Sequence, residues 1–430
     1  MGTCPPCRGV GSTFPCCEVS DVSEVSDVSD RDAPSSPRDR AVTYYPEYLG
    51  LEQVLGAIRP VSRMADGKPA HDEHLFIVTH QAFELWFAQM LHDLDAVLAD
   101  LGRDPVPDQA IGQVVHRLER IVQVVPVLLA QFAVLETMTP LDFLDFRDDL
   151  VPASGFQSAQ FRLLENRLGL DATHRLRIQG ARYTSRLDET DAAAVVAAEQ
   201  EPTLRTVVDA WLARTPFVQL HGYDLWAAYA DAVTTMLERD RRLIATNPSV
   251  DDVVRAQQLK AFEATEAAFA TLLDRDRWDA EVAKGRRTFS YEAMRAGLLI
   301  ELYRDEPALH LPFRLLTVLV DLDTGLTTFR QAHARMVRRA IGARVGTGGT
   351  SGHAYLEAAT AKHTVFGDLA DLATFHLPRR DLPRLPEHVR DQMAFRYRSE
   401  PSAGGRTSEA EGVGSEDGRA GAGGAGAAIS

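Results

Sequence analysis

Cysteine is absent from everything after residue 17. The four cysteines, Cys4, Cys7, Cys16 and Cys17, all lie at the N-terminal end of the 430-residue chain. The remainder therefore cannot form a disulfide, an iron–sulfur cluster, a thiolate-bound haem or a cysteine nucleophile. The four thiols could in principle hold zinc, but they lack the intervening length of a zinc knuckle or ribbon. Histidine must carry any metal chemistry in the folded part.

Positive charge is in deficit, with 46 basic against 61 acidic side chains and a net charge of −15. Binding to a phosphate backbone needs a basic surface, so the balance argues against a nucleic-acid partner. No stretch approaches the ~18–20 uninterrupted apolar residues of a membrane-spanning helix, and the N-terminus lacks the basic-then-apolar order of a secretory signal. We therefore expect a cytoplasmic protein without a membrane partner.

Large apolar side chains are scarce at both ends of the chain. Residues 1–40 include a Ser-acid-Val repeat from Ser20 to Asp30, which can bury too little surface to offset chain entropy. Residues 399–430 consist mainly of Gly, Ala, Ser and Glu and are typical of a flexible tail. The sequence thus predicts two disordered ends and one compact domain over residues 41–398.

Strand-like alternation is also lacking. Apolar residues recur instead at i, i+3, i+4 and i+7 almost throughout the compact domain, which predicts an all-α bundle with long core helices. Thr139 followed by Pro140 indicates a helix start, and Pro152 with Gly155 indicates a boundary between helices. The long helices are expected at His74–Leu101, 110–135, Asp224–Ile244, 251–283 and 311–343.

Two segments near the start place aromatic and polar side chains together. Tyr45 and Tyr48 are three apart and share one helix face, where they could line an aromatic pocket or simply border the core. In residues 71–87, His80 shares an apolar stripe with Phe76 and Phe83, and burial there favours neutral imidazole. His80 is therefore either a ligand-binding residue or a core histidine whose hydrogen bonds are made within the protein.

The same segment contains a possible non-haem iron site. His71, Glu73 and His74 provide two imidazoles and one carboxylate, which is a recognised set of iron ligands. Their spacing weakens this interpretation, because residues two apart on a helix point to different faces. No Glu-x-x-His occurs in the chain, which argues against a di-iron helical bundle.

A third segment, residues 139–154, carries an arginine among apolar neighbours. If helical geometry persists, Phe143, Arg147, Leu150 and Ser154 form one ridge, since they are spaced four, three and four apart. A guanidinium in such a ridge needs an anionic partner, and its planar fork suits a carboxylate. That partner is either one of the neighbouring aspartates or a substrate.

A fourth segment, residues 329–356, joins a helix containing His333 to a glycine-rich loop around Gly346, Thr347 and Gly348. Such a loop can turn backbone N–H groups toward an anion, and Thr347 adds a hydroxyl. It is not a nucleotide-binding P-loop, because a helix precedes it and no lysine follows.

Taken together, these strings resemble the tryptophan 2,3-dioxygenase family over residues 43–393. The matching strings are YPEYLGLEQVL, HDEHLFIVTHQAFELWF, LDFLDFRDDLVPASGFQSAQFRLLE, SYEAMRAGLLIELYRDEP and the GTGGTSG loop with its upstream histidine. The resemblance implies a haem enzyme that opens the indole ring of L-tryptophan with O2 to give N-formyl-L-kynurenine, the first step of tryptophan degradation by the kynurenine pathway.

The resemblance also implies roles for single residues. His333 would be the proximal ligand of one haem b per subunit, with Gly346 and Gly348 beside the cofactor. His80 would lie on the distal side and meet the indole N–H, and Phe76 would pack against the ring.

The remaining implied roles concern the zwitterionic end of the substrate and the pocket wall. Arg147 would grip the carboxylate, and Thr347 would help to bind the amino and carboxylate groups. The N-terminal segment would reach into a neighbouring subunit of a homotetramer. The pocket would be completed by Tyr45, Tyr48, Phe143, Leu150 and Ser154.

The chain departs from the family pattern at Phe329, Phe143 and His353, none of which removes a reaction-bearing group, and two alternative functions are weighed separately. Phe329 stands where many relatives have tryptophan, and Phe143 lacks a hydroxyl that some relatives carry. One alternative is a related haem oxygenase that acts on another aromatic amino acid or a substituted indole. Another is a helical sensor that binds haem or tryptophan without turnover.

Overall fold

A computed structural model describes residues 44–171, 175, 181–216, 222–342, 344, 356–358, 360 and 362–395. No β-strand occurs within these ranges, so the all-α prediction is confirmed for the part that they cover. The predicted disorder of residues 1–40 and 399–430, and the loop with Gly346, Thr347 and Gly348, lie outside the described residues.

The chain divides into two compact units, and the first ends at Ile58. Its described part contains two short helices, α1 (Tyr45–Tyr48) and α2 (Leu51–Gly56). Gly50 joins them with φ 60°, a left-handed conformation that glycine adopts without a steric penalty. This unit therefore presents Tyr45 and Tyr48 on a single helical turn.

The second unit begins at Arg59 and contains the long helices. Among the described residues of this unit, four short 3₁₀ turns supplement them, at Arg147–Leu150, Gly155–Gln157, Asp371–Phe375 and Arg379–Asp381. The α-helices are α3 (His71–Leu101), α4 (Asp108–Leu135), α5 (Pro140–Leu144), α6 (Ala159–Leu168), α7 (Glu189–Ala198), α8 (Leu204–Ala213), α9 (Leu225–Ala245), α10 (Asp252–Leu273), α11 (Arg275–Ala283), α12 (Tyr291–Leu302), α13 (Pro307–Ile341), α14 (Gly367–Ala370) and α15 (Glu387–Met393).

The predicted helix over residues 251–283 is wrong in one respect, because the structure has two helices there. The backbone of Asp274 is extended, with φ −120° and ψ 114°, and its carboxylate accepts a hydrogen bond from the amide of Arg277 at 3.1 Å. Aspartate favours this N-cap arrangement, which ends α10 and starts α11. The other long helices agree with the prediction to within a few residues.

Helix α4 packs against both α3 and α13 and forms the centre of the core. It is long and apolar enough to cross a membrane by length and composition, but eleven of its residues are buried within the protein, which marks it as a core helix. Gly325 of α13 allows a close approach, because a Cβ there would lie 3.3 Å from a methyl group of Val125 on α4. The three helices therefore form one tightly packed layer.

A buried ionic cluster fastens α6 to α13. Glu165 is 1% exposed and lies within 3.2 Å of three guanidiniums, those of Arg162, Arg175 and Arg330. Burial alone would raise the pKa of Glu165, but a hydrogen bond with His363 and the three positive charges hold it well below its usual range. Glu165 is therefore a buried carboxylate anion at neutral pH.

Removing that charge should destabilise the fold. We expect Glu165→Gln to lower the free energy of unfolding by about 3–5 kcal/mol, because it leaves buried guanidiniums without their counter-charge. Urea denaturation followed by circular dichroism measures the change. The control is Glu201→Gln, which removes an exposed carboxylate from Arg167 and should cost less than about 1 kcal/mol. Equal losses in the two variants would contradict this account of the cluster.

Candidate active site

His80 lies within the first half of α3 and has its imidazole fixed by the backbone. Its Nδ1 lies 2.7 Å from the carbonyl oxygen of Phe76. Because a carbonyl oxygen can only accept, Nδ1 must carry the proton, which leaves Nε2 of neutral His80 as an acceptor. Burial lowers the pKa of His80, and the Phe76 hydrogen bond and the Glu84 charge offset this only in part. At neutral pH His80 therefore presents one unprotonated nitrogen.

Aromatic rings surround His80. The ring of Phe76 lies 4.0 Å from the His80 ring, centroid to centroid, and Phe76 in turn contacts Phe143 at 5.8 Å and Phe146 at 5.6 Å. Phe146 is almost completely buried and was not singled out from the sequence, where it reads as one more apolar position. The side chains around His80 thus form a flat-walled apolar environment suited to a planar ring.

The helix that brings Phe143 to this place starts as predicted. The Thr139 hydroxyl accepts a hydrogen bond from the amide of Asp142, and the Asp142 carboxylate accepts one from the amide of Thr139, which is a complete capping box. Pro140 occupies the first turn of α5, where its missing N–H costs nothing. The prediction of a helix start at Thr139 and Pro140 is confirmed.

The expected continuous ridge over residues 143–154 is wrong. Helix α5 ends at Leu144, Arg147–Leu150 is a separate 3₁₀ turn, and Val151 is extended with φ −63° and ψ 127°. The ring of Pro152 disfavours helical geometry at the residue before it, which explains the extended backbone of Val151. Ser154 instead caps the next turn, with its hydroxyl accepting from the amide of Phe156 at 3.3 Å.

Arg147 directly follows Phe146, and its side chain is only 17% exposed. Its Nη1 lies 3.3 Å from Oδ1 of Asp148, a side chain that is 90% exposed. Solvent-exposed ion pairs of this kind contribute little to stability. The contact with Asp148 is therefore too weak to explain the position of the Arg147 guanidinium as a structural ion pair. Phe143 and Leu150 are half-buried on either side of Arg147 in the chain.

His333 lies on the 35-residue helix α13. Its imidazole stacks on Phe132, with centroids 5.8 Å apart and an interplanar angle of 7°, and it lies 6.3 Å from Phe329. Burial, and to a smaller extent the positive charge that His80 can carry, together lower the pKa of His333 to about 4. The two histidines are therefore electrostatic neighbours, and His333 is neutral at neutral pH.

A shell of phenylalanines connects the two histidines. Phe83 lies 6.3 Å from His80 and 5.2 Å from Phe132, the ring that stacks on His333. Phe329 is the hub of the shell and contacts Phe83, Phe87, Phe132 and Phe161. The sequence did not single out Phe132 and Phe161, because their spacing is that of ordinary core residues.

The chemistry of His333 fits an axial ligand of haem iron. The residue lies deep in the protein, yet its side chain is not fully covered, and no polar group within the described ranges contacts the imidazole. A neutral imidazole carries a free lone pair, and the phenylalanine shell around it is the apolar surrounding that a porphyrin requires. The donor present is thus of the right type and in the right charge state.

The alternative iron site at His71, Glu73 and His74 is wrong. The carboxylate of Glu73 is buried and accepts hydrogen bonds from the amides of Val61 and Ser62 at 2.7 and 3.0 Å, and from the Ser62 hydroxyl. His71 and His74 are exposed. Across the described ranges no three His, Cys, Asp or Glu side chains converge as metal ligands.

Tyr45 and Tyr48 lie on α1, and both side chains are exposed. Tyr45 is 68% exposed and Tyr48 is 75% exposed. The remaining predicted site residues, Gly346, Thr347 and Gly348, lie outside the described residues.

Comparisons with known proteins identify the family. The family model described as Tryptophan 2,3-dioxygenase matches residues 29–376. A protein named tryptophan 2,3-dioxygenase from Bdellovibrio bacteriovorus is 44% identical over 354 residues, which are 82% of this chain and 98% of the relative. The chain belongs to the tryptophan 2,3-dioxygenase family. The resemblance drawn from the sequence motifs is thereby confirmed.

Other members of the tryptophan 2,3-dioxygenase family are similarly related. Proteins of that name from Alteromonas mediterranea and Xenopus laevis are each 41% identical, over 352 and 343 residues. These matches cover 82% and 79% of this chain, and 97% and 84% of the relatives. His80, Arg147, His333 and Thr347 all lie within the span that the dioxygenase family model matches.

Proposed function

We propose that this chain is a haem-dependent dioxygenase that opens the indole ring of L-tryptophan with O2 and gives N-formyl-L-kynurenine, the first step of the kynurenine pathway. The observation that carries the proposal is the pair of neutral histidines within one aromatic shell. Nε2 of His80 is held as an acceptor, and His333 has no polar partner within the described ranges. Membership of the family supports the same reaction.

His333 is the residue proposed to hold the iron of one haem b per subunit. Bound haem would supply the ferrous iron that activates O2, without the electron push that a thiolate ligand gives. The stacking partner Phe132 fixes the plane of the His333 ring, so the ligand is oriented before the cofactor binds. Gly346 and Gly348 are proposed to border the cofactor.

His80 is proposed to orient the substrate. The indole N–H is a donor, and Nε2 of His80 is an acceptor because Phe76 holds the proton of the imidazole on Nδ1. The lowered pKa of His80 makes it a weak base, so the contact positions the ring and does not remove its proton. Phe76 is proposed to pack against the face of the indole.

The zwitterionic end of tryptophan needs its own anchors, because fixing both ends of a substrate is what aligns the reacting carbons. Arg147 is proposed to bind the carboxylate, and Thr347 the amino and carboxylate groups. The pocket wall is proposed to include Tyr45, Tyr48, Phe143, Leu150 and Ser154.

A homotetramer is the proposed assembly, in which the N-terminal segment of one subunit completes the site of another. The large exposed surfaces of Tyr45 and Tyr48 support this, since aromatic side chains left open on one chain are typical of binding surfaces. A cytoplasmic location without nucleic-acid or membrane partners is proposed from the acidic composition.

An assay of turnover tests the proposed reaction. Purified holoenzyme is reduced without oxygen, and O2 and L-tryptophan are then added while the near-ultraviolet absorbance of a formylated kynurenine is followed. We expect product from L-tryptophan and none from L-phenylalanine. Protein that carries reduced haem and still leaves L-tryptophan unchanged would refute the proposal.

The orienting role of His80 makes a separate prediction. His80→Ala should lower kcat/KM by about 5- to 100-fold while haem content stays normal, because leaving the buried indole N–H without its acceptor costs about 1–3 kcal/mol. His92→Ala is the control, because His92 is an exposed histidine on the same helix and should have no effect. Complete loss of turnover with haem retained would make His80 an obligatory base, and unchanged kinetics would remove the contact.

A further inference from the structure

A pocket lies where α9, α10 and α12 meet, and its lining includes neither His80 nor His333. Its volume is about 350 Å³, which falls within the range of about 300–1,000 Å³ that is common for small-molecule sites. Leu272 and Leu273 provide apolar lining, Tyr291 and Trp226 provide aromatic rings, and one cation and one anion complete the pocket.

The cation is Arg295. Its guanidinium carbon lies 4.1 Å from the ring centroid of Trp226 and 5.4 Å from that of Tyr291. Burial lowers the pKa of Arg295, and the Tyr291 hydroxyl and the charges of Asp224 and Glu292 compensate only in part. No carboxylate lies within ion-pair distance of Arg295 in the described part of the chain. The stacked guanidinium is thus a half-buried cation that a ligand carboxylate would stabilise.

The anion is Asp224, which caps the first turn of α9. Its Oδ1 accepts hydrogen bonds from the amides of Trp226 at 3.1 Å and Ala227 at 3.0 Å. Both bonds use Oδ1. The cap therefore fixes the position of Oδ2 and leaves it able to accept a hydrogen bond from a ligand. Asp224 also acts electrostatically on Arg295 while lying beyond ion-pair distance. The pocket therefore holds two opposite charges apart, beside an apolar surface.

We propose that this pocket binds a free α-amino acid with an apolar side chain. The ligand carboxylate pairs with Arg295, the ammonium group with Asp224, and the side chain packs on Leu272 and Leu273. An α-amino acid carries its ammonium and carboxylate groups on one carbon and can engage both charges of the pocket, whereas a simple anion or a hydrocarbon would not use both. The site is distinct from the proposed active site and does not depend on its activity.

Calorimetric titration of the full-length protein with L-leucine tests the proposal. We expect saturable binding to the wild type and a dissociation constant at least about tenfold higher for Arg295→Gln. The matched control is Arg304→Gln, since Arg304 also stacks on an aromatic ring, that of Phe313 at 5.1 Å, but does not line the pocket. This control should change the constant less than about twofold.

Two further variants test the role of the anion and the location of the bound ligand. Asp224→Asn keeps the helix cap, because asparagine caps as well as aspartate, and it should weaken binding of L-leucine but not of 4-methylpentanoate, which lacks the ammonium group. Arg147→Ala should leave L-leucine binding unchanged. Absence of saturable binding to the wild type, an unchanged constant in Arg295→Gln, or loss of binding in Arg147→Ala would each overturn the proposal, the last by placing leucine at the other site.

Discussion

His333→Ala should purify without haem and should not retain it after reconstitution with hemin. The imidazole is the proposed iron ligand, and the other histidine of the phenylalanine shell, His80, is held by the Phe76 carbonyl and is proposed to contact the substrate instead. We expect the haem content to fall at least about tenfold, because removing the ligand itself costs no less than removing the groups that support it. Haem absorbance per mole of protein measures the change.

The control for this variant is His310→Ala, which removes an exposed histidine from the same helix. Both variants should keep the helical circular dichroism spectrum of the wild type, so that loss of haem is separated from loss of fold. Haem bound to His333→Ala in normal amount and with an unchanged spectrum would refute the ligand assignment.

Arg147→Ala should raise the KM for L-tryptophan by tens to hundreds of fold. A charge-assisted contact to a carboxylate in a site with little water contributes about 2–4 kcal/mol, and every factor of ten in KM corresponds to about 1.4 kcal/mol. Haem content should stay normal, since the side chains that pack against His333 are those of Phe132 and Phe329 and not that of Arg147. Steady-state kinetics measures the effect.

Two companion variants sharpen the interpretation of Arg147. Arg147→Lys keeps the charge and loses the planar fork, so its KM should fall between those of the wild type and Arg147→Ala. Arg241→Ala removes an exposed arginine whose partner is Glu266, and its KM should be that of the wild type. A KM for Arg147→Ala equal to that of the wild type would remove the carboxylate clamp from the proposed function.

The long helices were predictable because each carries a continuous apolar stripe. Helix α4 is the clearest case, since its buried residues recur every three or four positions along the whole element. The two wrong predictions about helices, over residues 251–283 and 143–154, each have a single residue as their cause. Asp274 ends a helix by capping the next one, and Pro152 ends a ridge by excluding helical geometry at Val151. Periodicity averages over such local effects and therefore misses them.

The sequence singled out His80 and His333 and predicted a neutral His80, but it could not predict that the two histidines lie close together. His80 and His333 stand out in the sequence, yet their closeness depends on how α3 and α13 pack around α4, which no local pattern encodes. The proton position on His80 follows only from the 2.7 Å contact with the Phe76 carbonyl. Phe132 and Phe146 could not be separated from core residues, because their role comes from neighbours distant in the chain.

The most direct test of the proposed dioxygenase reaction is the mass of the product formed by reduced holoenzyme from L-tryptophan under isotopically labelled O2. We expect one product that has gained both labelled oxygen atoms and has kept its carboxylate, as N-formyl-L-kynurenine requires. A product with a single labelled oxygen would instead indicate the related oxygenase that inserts one atom, and would contradict the proposed reaction.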